Sequence, residues 1–189
     1  MSKAFAWVER VLVCLGIIAL VLLVADLGGS AMLVAAGGLL AILYFVGGYF
    51  QAPKFSAQIT GAGVALRVFS GVLFANAVIG LLFKLLFWTG ADTMLWVGAV
   101  GAGVMAVLAY LLRERQADLS AVTNRGIVLA AVALAAAVTP SPALFGLLHR
   151  DNPALVEKYT DAYENPDDQA LEADYRRAAQ EDYNQQHAR

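Results

Sequence analysis

Cysteine, histidine and charge are all scarce in this chain of 189 residues, which has one Cys, two His and only 15% Asp, Glu, Lys and Arg. Cys14 has no partner for an intrachain disulfide, so nothing reports on redox compartment. Inside an apolar run it reads as a small helix- or lipid-facing residue. His149 and His187 lie far apart, and no His-x3-His or Cys-x2-Cys pair exists, so no metal-ligand spacing is present. The glycine groups Gly37-Gly38, Gly47-Gly48 and Gly98, Gly101, Gly103 follow no strand. They read as sites of close helix approach rather than as phosphate loops. With no nucleophile and base at usable spacing, the chain reads as a non-enzyme with no cofactor, no metal and no small-molecule substrate. The shortage of charge also excludes an ordinary soluble domain, which carries roughly 25% charged residues.

What is abundant is apolar sequence, 60% of the chain, and its mean hydropathy is positive. Charge is segregated as well. Residues 149–189 hold ten of the fifteen acids, and the rest are Glu9, Asp26, Asp92, Glu114 and Asp118. The net charge of −2 averages two unlike regions and points to no nucleic-acid partner.

A span needs ~20 mainly apolar residues to cross ~30 Å of hydrocarbon. The candidates are Phe5–Ala25, Ala31–Phe50, Ala65–Trp88, Thr93–Leu112 and Gly126–Leu148. They are continuously apolar, without the in–out alternation of a barrel strand, so the expected fold is an all-α integral membrane protein. Two very short links, Asp26–Ser30 and Thr89–Asp92, predict two antiparallel hairpins. The fifth run contains Thr139-Pro140-Ser141-Pro142, and about a dozen apolar residues before it are too few to cross alone. A proline-kinked span continuing through Leu148 is therefore expected. Met1–Ala31 is expected to stay as a membrane anchor, because its apolar run continues into a second span. Trp7, Trp88, Trp96, Tyr44, Tyr49 and Tyr110 fall near span ends, as in an interfacial aromatic belt.

Seven cations give the orientation: Lys3 and Arg10 at the start, Lys54 and Arg67 in the second link, Arg113, Arg115 and Arg125 in the fourth. The two tight turns hold only Asp26 and Asp92. A cytoplasmic N-terminus puts all seven on the cytoplasmic side of a bacterial inner membrane, and five spans then place the tail in the periplasm.

The hairpins echo each other at an offset of 62 residues: Ile17/Ile79, Leu20/Leu82, Leu23/Leu85, Gly28/Gly90 and Met32-Leu33/Met94-Leu95. This suggests an old parallel duplication. The stretch Gly80–Gly98, with Phe83-Lys84, Gly90-Ala91 and Met94-Leu95 at its heart, resembles the two-helix membrane hairpin of the GldL family. Those proteins are motor subunits of gliding and type 9 secretion in Bacteroidota. The resemblance covers about 20 residues and implies a cytoplasmic-membrane hairpin with a lysine before its turn. It does not carry over a proton-driven motor role. The family's second-helix acid falls at about Ala102, and Phe87 stands where the family has a histidine.

Lys84 is the ionisable side chain that falls well inside a span, which makes it a functional candidate. It can also snorkel past Trp88 to the headgroups or pair with Asp92 or Asp26. Asp26, Ser30 and Asp92 sit at helix starts and suit N-capping. Asn76, mid-span, suits an interhelical hydrogen bond. The acidic tail, residues 149–189, carries two helix starts, Asn152-Pro153 and Asn165-Pro166. Leu155, Tyr159 and Tyr163 on the first helix, and Leu171 and Tyr175 on the second, form apolar faces suited to partner docking. The alternative is a solvated, disordered tail. The sequence as a whole reads as a membrane domain, residues 1–148, with a helical tail. Its expected role is an accessory or scaffold subunit whose partners are the bilayer and other membrane subunits. A transporter or ion-conducting subunit using Lys84 is the alternative.

Overall fold

The computed structural model describes residues 3–25, 27, 29–50, 61–112 and 119–187, and among them the regular structure is helical. The helices are α1 (Lys3–Val24), α2 (Ser30–Phe50), α3 (Gly61–Leu85), α4 (Ala91–Leu112), α5 (Ser120–Val138), α6 (Ser141–Leu148), α7 (Pro153–Glu164) and α8 (Gln169–His187). The first five are long and apolar enough to cross a membrane. The chain divides into two compact units: Met1–Leu23 with Leu27–Val138, and Val24–Asp26 with Thr139–Arg189.

In the first unit the usual amphipathic arrangement is reversed. The buried stripe of α4 is Ala91, Leu95, Gly98, Ala99, Ala102, Ala106 and Ala109, mostly small and at helical spacing. Its large residues, including Trp96, Val97, Val100, Val104, Val107 and Leu111, are exposed. A helix in water would bury the large side chains. In lipid there is no hydrophobic gain from doing so, and close backbone approach through small residues drives association instead. Two contacts show how close. A Cβ on Gly98 would lie 2.6 Å from the Cα of Ala77, and one on Gly48 would lie 2.8 Å from the Cα of Gly71. The backbone of α3 approaches α2 and α4 in this way, and α5 approaches α4, where a Cβ on Gly126 would lie 2.8 Å from Ala102 O. Helix α1 is approached this closely at the turn that follows it, where a Cβ on Gly29 would lie 2.6 Å from Ala19 O. It joins the bundle through side chains, with Ala19 fully buried beside Leu33 and Leu82.

The tight turns use left-handed glycines, Gly29 (φ 103°) and Gly90 (φ 82°). By conformation Gly29 is therefore the counterpart of Gly90. The structural repeat is one residue shorter than the sequence match, and Gly28 lies outside the described residues. Each glycine carbonyl receives an equivalent helix-opening bond, Leu33 N–H to Gly29 O and Met94 N–H to Gly90 O.

The fifth span differs from expectation. It begins at Ser120, six residues before Gly126, and ends at Val138, so its 19 residues need no continuation past the prolines. Pro140 adopts extended backbone (ψ 135°) and precedes α6, a separate eight-residue helix with Pro142 in its first turn. A proline cannot donate to the preceding turn and disfavours helix at the residue before it, here Thr139. Arg10, Arg67 and Arg125, read from sequence as loop cations, lie inside α1, α3 and α5. Lys54, Arg113 and Arg115 fall outside the described residues.

The second unit holds α6, α7 and α8, so Ser141–Leu148 groups with the tail. Asn152 caps α7, its side chain accepting from the Leu155 N–H at 3.2 Å. Asn165 does not open α8. Its backbone and side-chain nitrogens both donate to Asp161 O, closing α7. The Asp168 carboxylate opens α8 instead, accepting from the N–H groups of Ala170 (2.9 Å) and Leu171 (3.3 Å). A carboxylate serves this position better than an amide already engaged with the preceding helix.

Candidate functional site

Four polar side chains come to one level of the first unit. Glu9 lies six residues into α1, Tyr44 six residues before the end of α2, Arg67 six residues into α3 and Arg125 five into α5. At 1.5 Å per residue these are all roughly 8–9 Å from helix ends on the same side of an antiparallel bundle. The Glu9 carboxylate accepts from Arg125 Nε at 2.5 Å, from Arg125 Nη2, and from the Tyr44 hydroxyl at 2.8 Å. The side chains of Arg125 and Glu9 are 19% and 14% exposed. The guanidinium also sits 5.1 Å over the Phe5 ring, and the Tyr44 ring meets Phe74 edge-on at 5.9 Å. One carboxylate thereby ties α1 to α2 and α5. A cavity of about 50 Å³ adjoins this cluster, lined by Arg67, Ser70, Gly47, Gly48 and Arg125 among others. Ser70 Oγ donates back to Leu66 O at 2.7 Å.

This cluster is hard to see in the sequence because Arg67 and Arg125 lie near the ends of apolar runs, where cations ordinarily mark a span boundary. A signal is present. It is Glu9, an acid inside the first apolar run.

At the other end of α3, Lys84 is 3% exposed and its Nζ lies 2.6 Å from Asp92 Oδ1, while the Asp92 side chain is 50% exposed. Asp92 stands in the first turn of α4, where its charge also complements the helix dipole. The end of α3 is a Schellman motif: Trp88 N–H donates to Phe83 O (2.8 Å) and Phe87 N–H to Lys84 O (3.3 Å). The accompanying apolar contact is the Phe83–Trp88 ring pair, centroids 5.0 Å apart. The left-handed position in this motif usually belongs to Gly, but here Phe87 holds φ 55°. Asn76 Nδ2 donates to Met94 O at 2.9 Å, bridging α3 and α4. Asp26 lies outside the described residues.

The tail residues occupy unlike positions. Leu155 is buried. Tyr159 stacks on Phe145 of α6 (4.1 Å) and meets the edge of Tyr175 at 5.3 Å, and Phe145 also stacks on His149 at 4.3 Å. Burial pushes the Tyr175 phenol above its usual pKa of 10. Leu171 is half-buried, and Tyr163 is exposed. Lys158–Asp174 (3.0 Å) and Asn152–Asp182 (2.9 Å) join α7 to α8. No group of three or more His, Cys, Asp or Glu capable of holding a metal occurs among the described residues.

No family model matches the chain, and no curated protein or solved structure matches it.

Proposed function

We propose that this protein is a non-catalytic, multi-pass subunit that anchors or stabilises a larger complex in a bacterial cytoplasmic membrane. One observation carries the reading. Five polar side chains within the spans are engaged helix to helix: Glu9 with Arg125 and Tyr44, Lys84 with Asp92, Asn76 with Met94 O. Side chains tied to a neighbouring helix in this way fix helix positions. In this reading the N-terminus is cytoplasmic, because Lys3, Arg10, Lys54, Arg67, Arg113, Arg115 and Arg125 cluster toward one side in sequence. The tail unit then lies in the periplasm as the docking element. The internal stacking of Tyr159 and Tyr175 leaves the exposed rings of Tyr163 and Tyr183 as its outward anchors.

Copurification from native membranes after gentle solubilisation tests the proposal, with a stoichiometric partner expected. Deleting residues 139–189 should release that partner and leave the spans inserted, since they satisfy their own backbone bonds. Tyr163→Ala should weaken the complex by about 1–2 kcal/mol. A reporter fused after Arg189 should read periplasmic. Lysine-dependent ion flux from the reconstituted chain alone would replace this reading with the conducting one.

A further inference from the structure

The cavity beside the Glu9 cluster has a chemistry of its own. Its walls come from four helices of one unit: Phe5 from α1, Tyr44 from α2, Arg67 and Ser70 from α3, Arg125 from α5. Both charged side chains among its described lining residues are arginines, and Arg67 is 8% exposed. A guanidinium presents five N–H groups in a planar fork that matches the oxygens of a carboxylate or phosphate. Two of those on Arg125 already meet one oxyanion, the Glu9 carboxylate, so the site displays the pairing it would use for another. About 50 Å³ is several times the ~10–15 Å³ that one water needs, and it is room for a tetrahedral oxyanion rather than for a whole lipid or a pigment.

Direction adds a second argument. Cα–Cβ bonds tilt toward a helix N-terminus. Arg67 and Arg125 both stand near the N-terminal ends of α3 and α5, which lie on the same side of the bundle. Their side chains therefore lean toward one membrane surface, and an arginine stem spans much of the remaining distance to the headgroups.

The geometry points to a phosphate-binding site formed by Arg67 and Arg125, taking the phosphate of a membrane lipid or a free phosphate ion. The Glu9–Arg125 bond holds one fork of the site in place, so binding stabilises the junction of α1 with the bundle. This inference does not depend on the scaffold reading, because it requires no protein partner.

Thermal unfolding of the full chain in mild detergent tests it, with phosphatidylglycerol, diacylglycerol of the same acyl chains, or inorganic phosphate added. Phosphatidylglycerol at hundredfold excess over its Kd should raise Tm by roughly 5–10 °C, with no rise from diacylglycerol. A rise with inorganic phosphate as well identifies a site open to free phosphate. A rise with the lipid alone identifies the headgroup as the ligand. Arg67→Gln should weaken the effect at least tenfold and Arg67→Lys less, while Arg176→Gln on the exposed tail should leave it intact. Equal shifts from phosphatidylglycerol and diacylglycerol would overturn the inference, whatever the variants do. So would a folded Arg67→Gln protein that responds like the parent.

Discussion

Two ion pairs among the described residues of the bundle lie at the levels of opposite ends of α3, and they are built on different principles. Arg67 beside the first and Lys84 in the second are seventeen residues apart, about 25 Å along the helix. In the Glu9–Arg125 pair both partners are largely enclosed, the contact is two-pronged, and a tyrosine hydroxyl adds a third bond. In Lys84–Asp92 only the lysine is enclosed, and half of the aspartate side chain is uncovered. The first pair joins helices distant in sequence and fastens α1. The second spans a turn that its own backbone bonds and glycine already close. An enclosed pair is costly to break, because the surviving charge has nowhere to go. A half-open pair fails unequally, according to which partner survives.

The largest effect should come from the first pair. Arg125→Leu leaves the Glu9 carboxylate buried without its guanidinium and should cost about 3–5 kcal/mol, read by denaturant titration in detergent micelles. Glu9→Leu combined with Arg125→Leu should recover most of that loss, since no charge is stranded. If the double variant is as damaged as the single one, the pair's role is not electrostatic and the contrast between the two ends fails.

At the second pair the prediction is an asymmetry. Asp92→Asn strands an enclosed ammonium and should cost about 1–3 kcal/mol. Lys84→Met leaves a carboxylate that can reach water or headgroups and should cost about 0–1 kcal/mol. The reverse order, measured in the same titration, would mean that the lysine stem's packing matters more than its charge.

Much of the fold was legible because apolar length and tight-turn chemistry are local. The expected span Ala31–Phe50 differs from α2 by one residue, and Asn76 makes the interhelical bond its position suggested. The fifth span was misplaced for a physical reason. Sequence alone puts its start after Arg125, whereas a distant carboxylate lets the arginine lie inside the helix. The partnership of Glu9 with Arg125 spans 116 residues, and no local pattern encodes it. The tail shows a similar limit. The period of Leu155, Tyr159, Tyr163, Leu171 and Tyr175 predicted apolar faces. Which of those rings turn inward depends on Phe145 and α6, a helix hidden behind the prolines.

The turn beside Lys84 offers a smaller, opposite test. Phe87 sits at φ 55°, where a side chain costs roughly 1–2 kcal/mol that glycine avoids. Phe87→Gly should therefore stabilise the second end by about 0.5–1 kcal/mol after the ring's own contacts are lost. A destabilised Phe87→Gly protein would show that the Phe87 ring contributes more than its backbone strain costs.

The smallest expected effect isolates one neutral bond between the two charged ends. Asn76 lies on α3 between Arg67 and Lys84, and its amide reaches a backbone carbonyl of α4 at 2.9 Å. Intramembrane hydrogen bonds of this kind average ~0.6 kcal/mol, because a separated helix finds other partners for the same groups. Asn76→Leu should cost about that much, well below the loss at Arg125. Gly80 and Gly98 hold α3 against α4 independently, so the α3–α4 contact should survive the change. A loss comparable to that of Arg125→Leu would place the decisive polar contact at mid-span, and the two-ended account of the bundle would have to be abandoned.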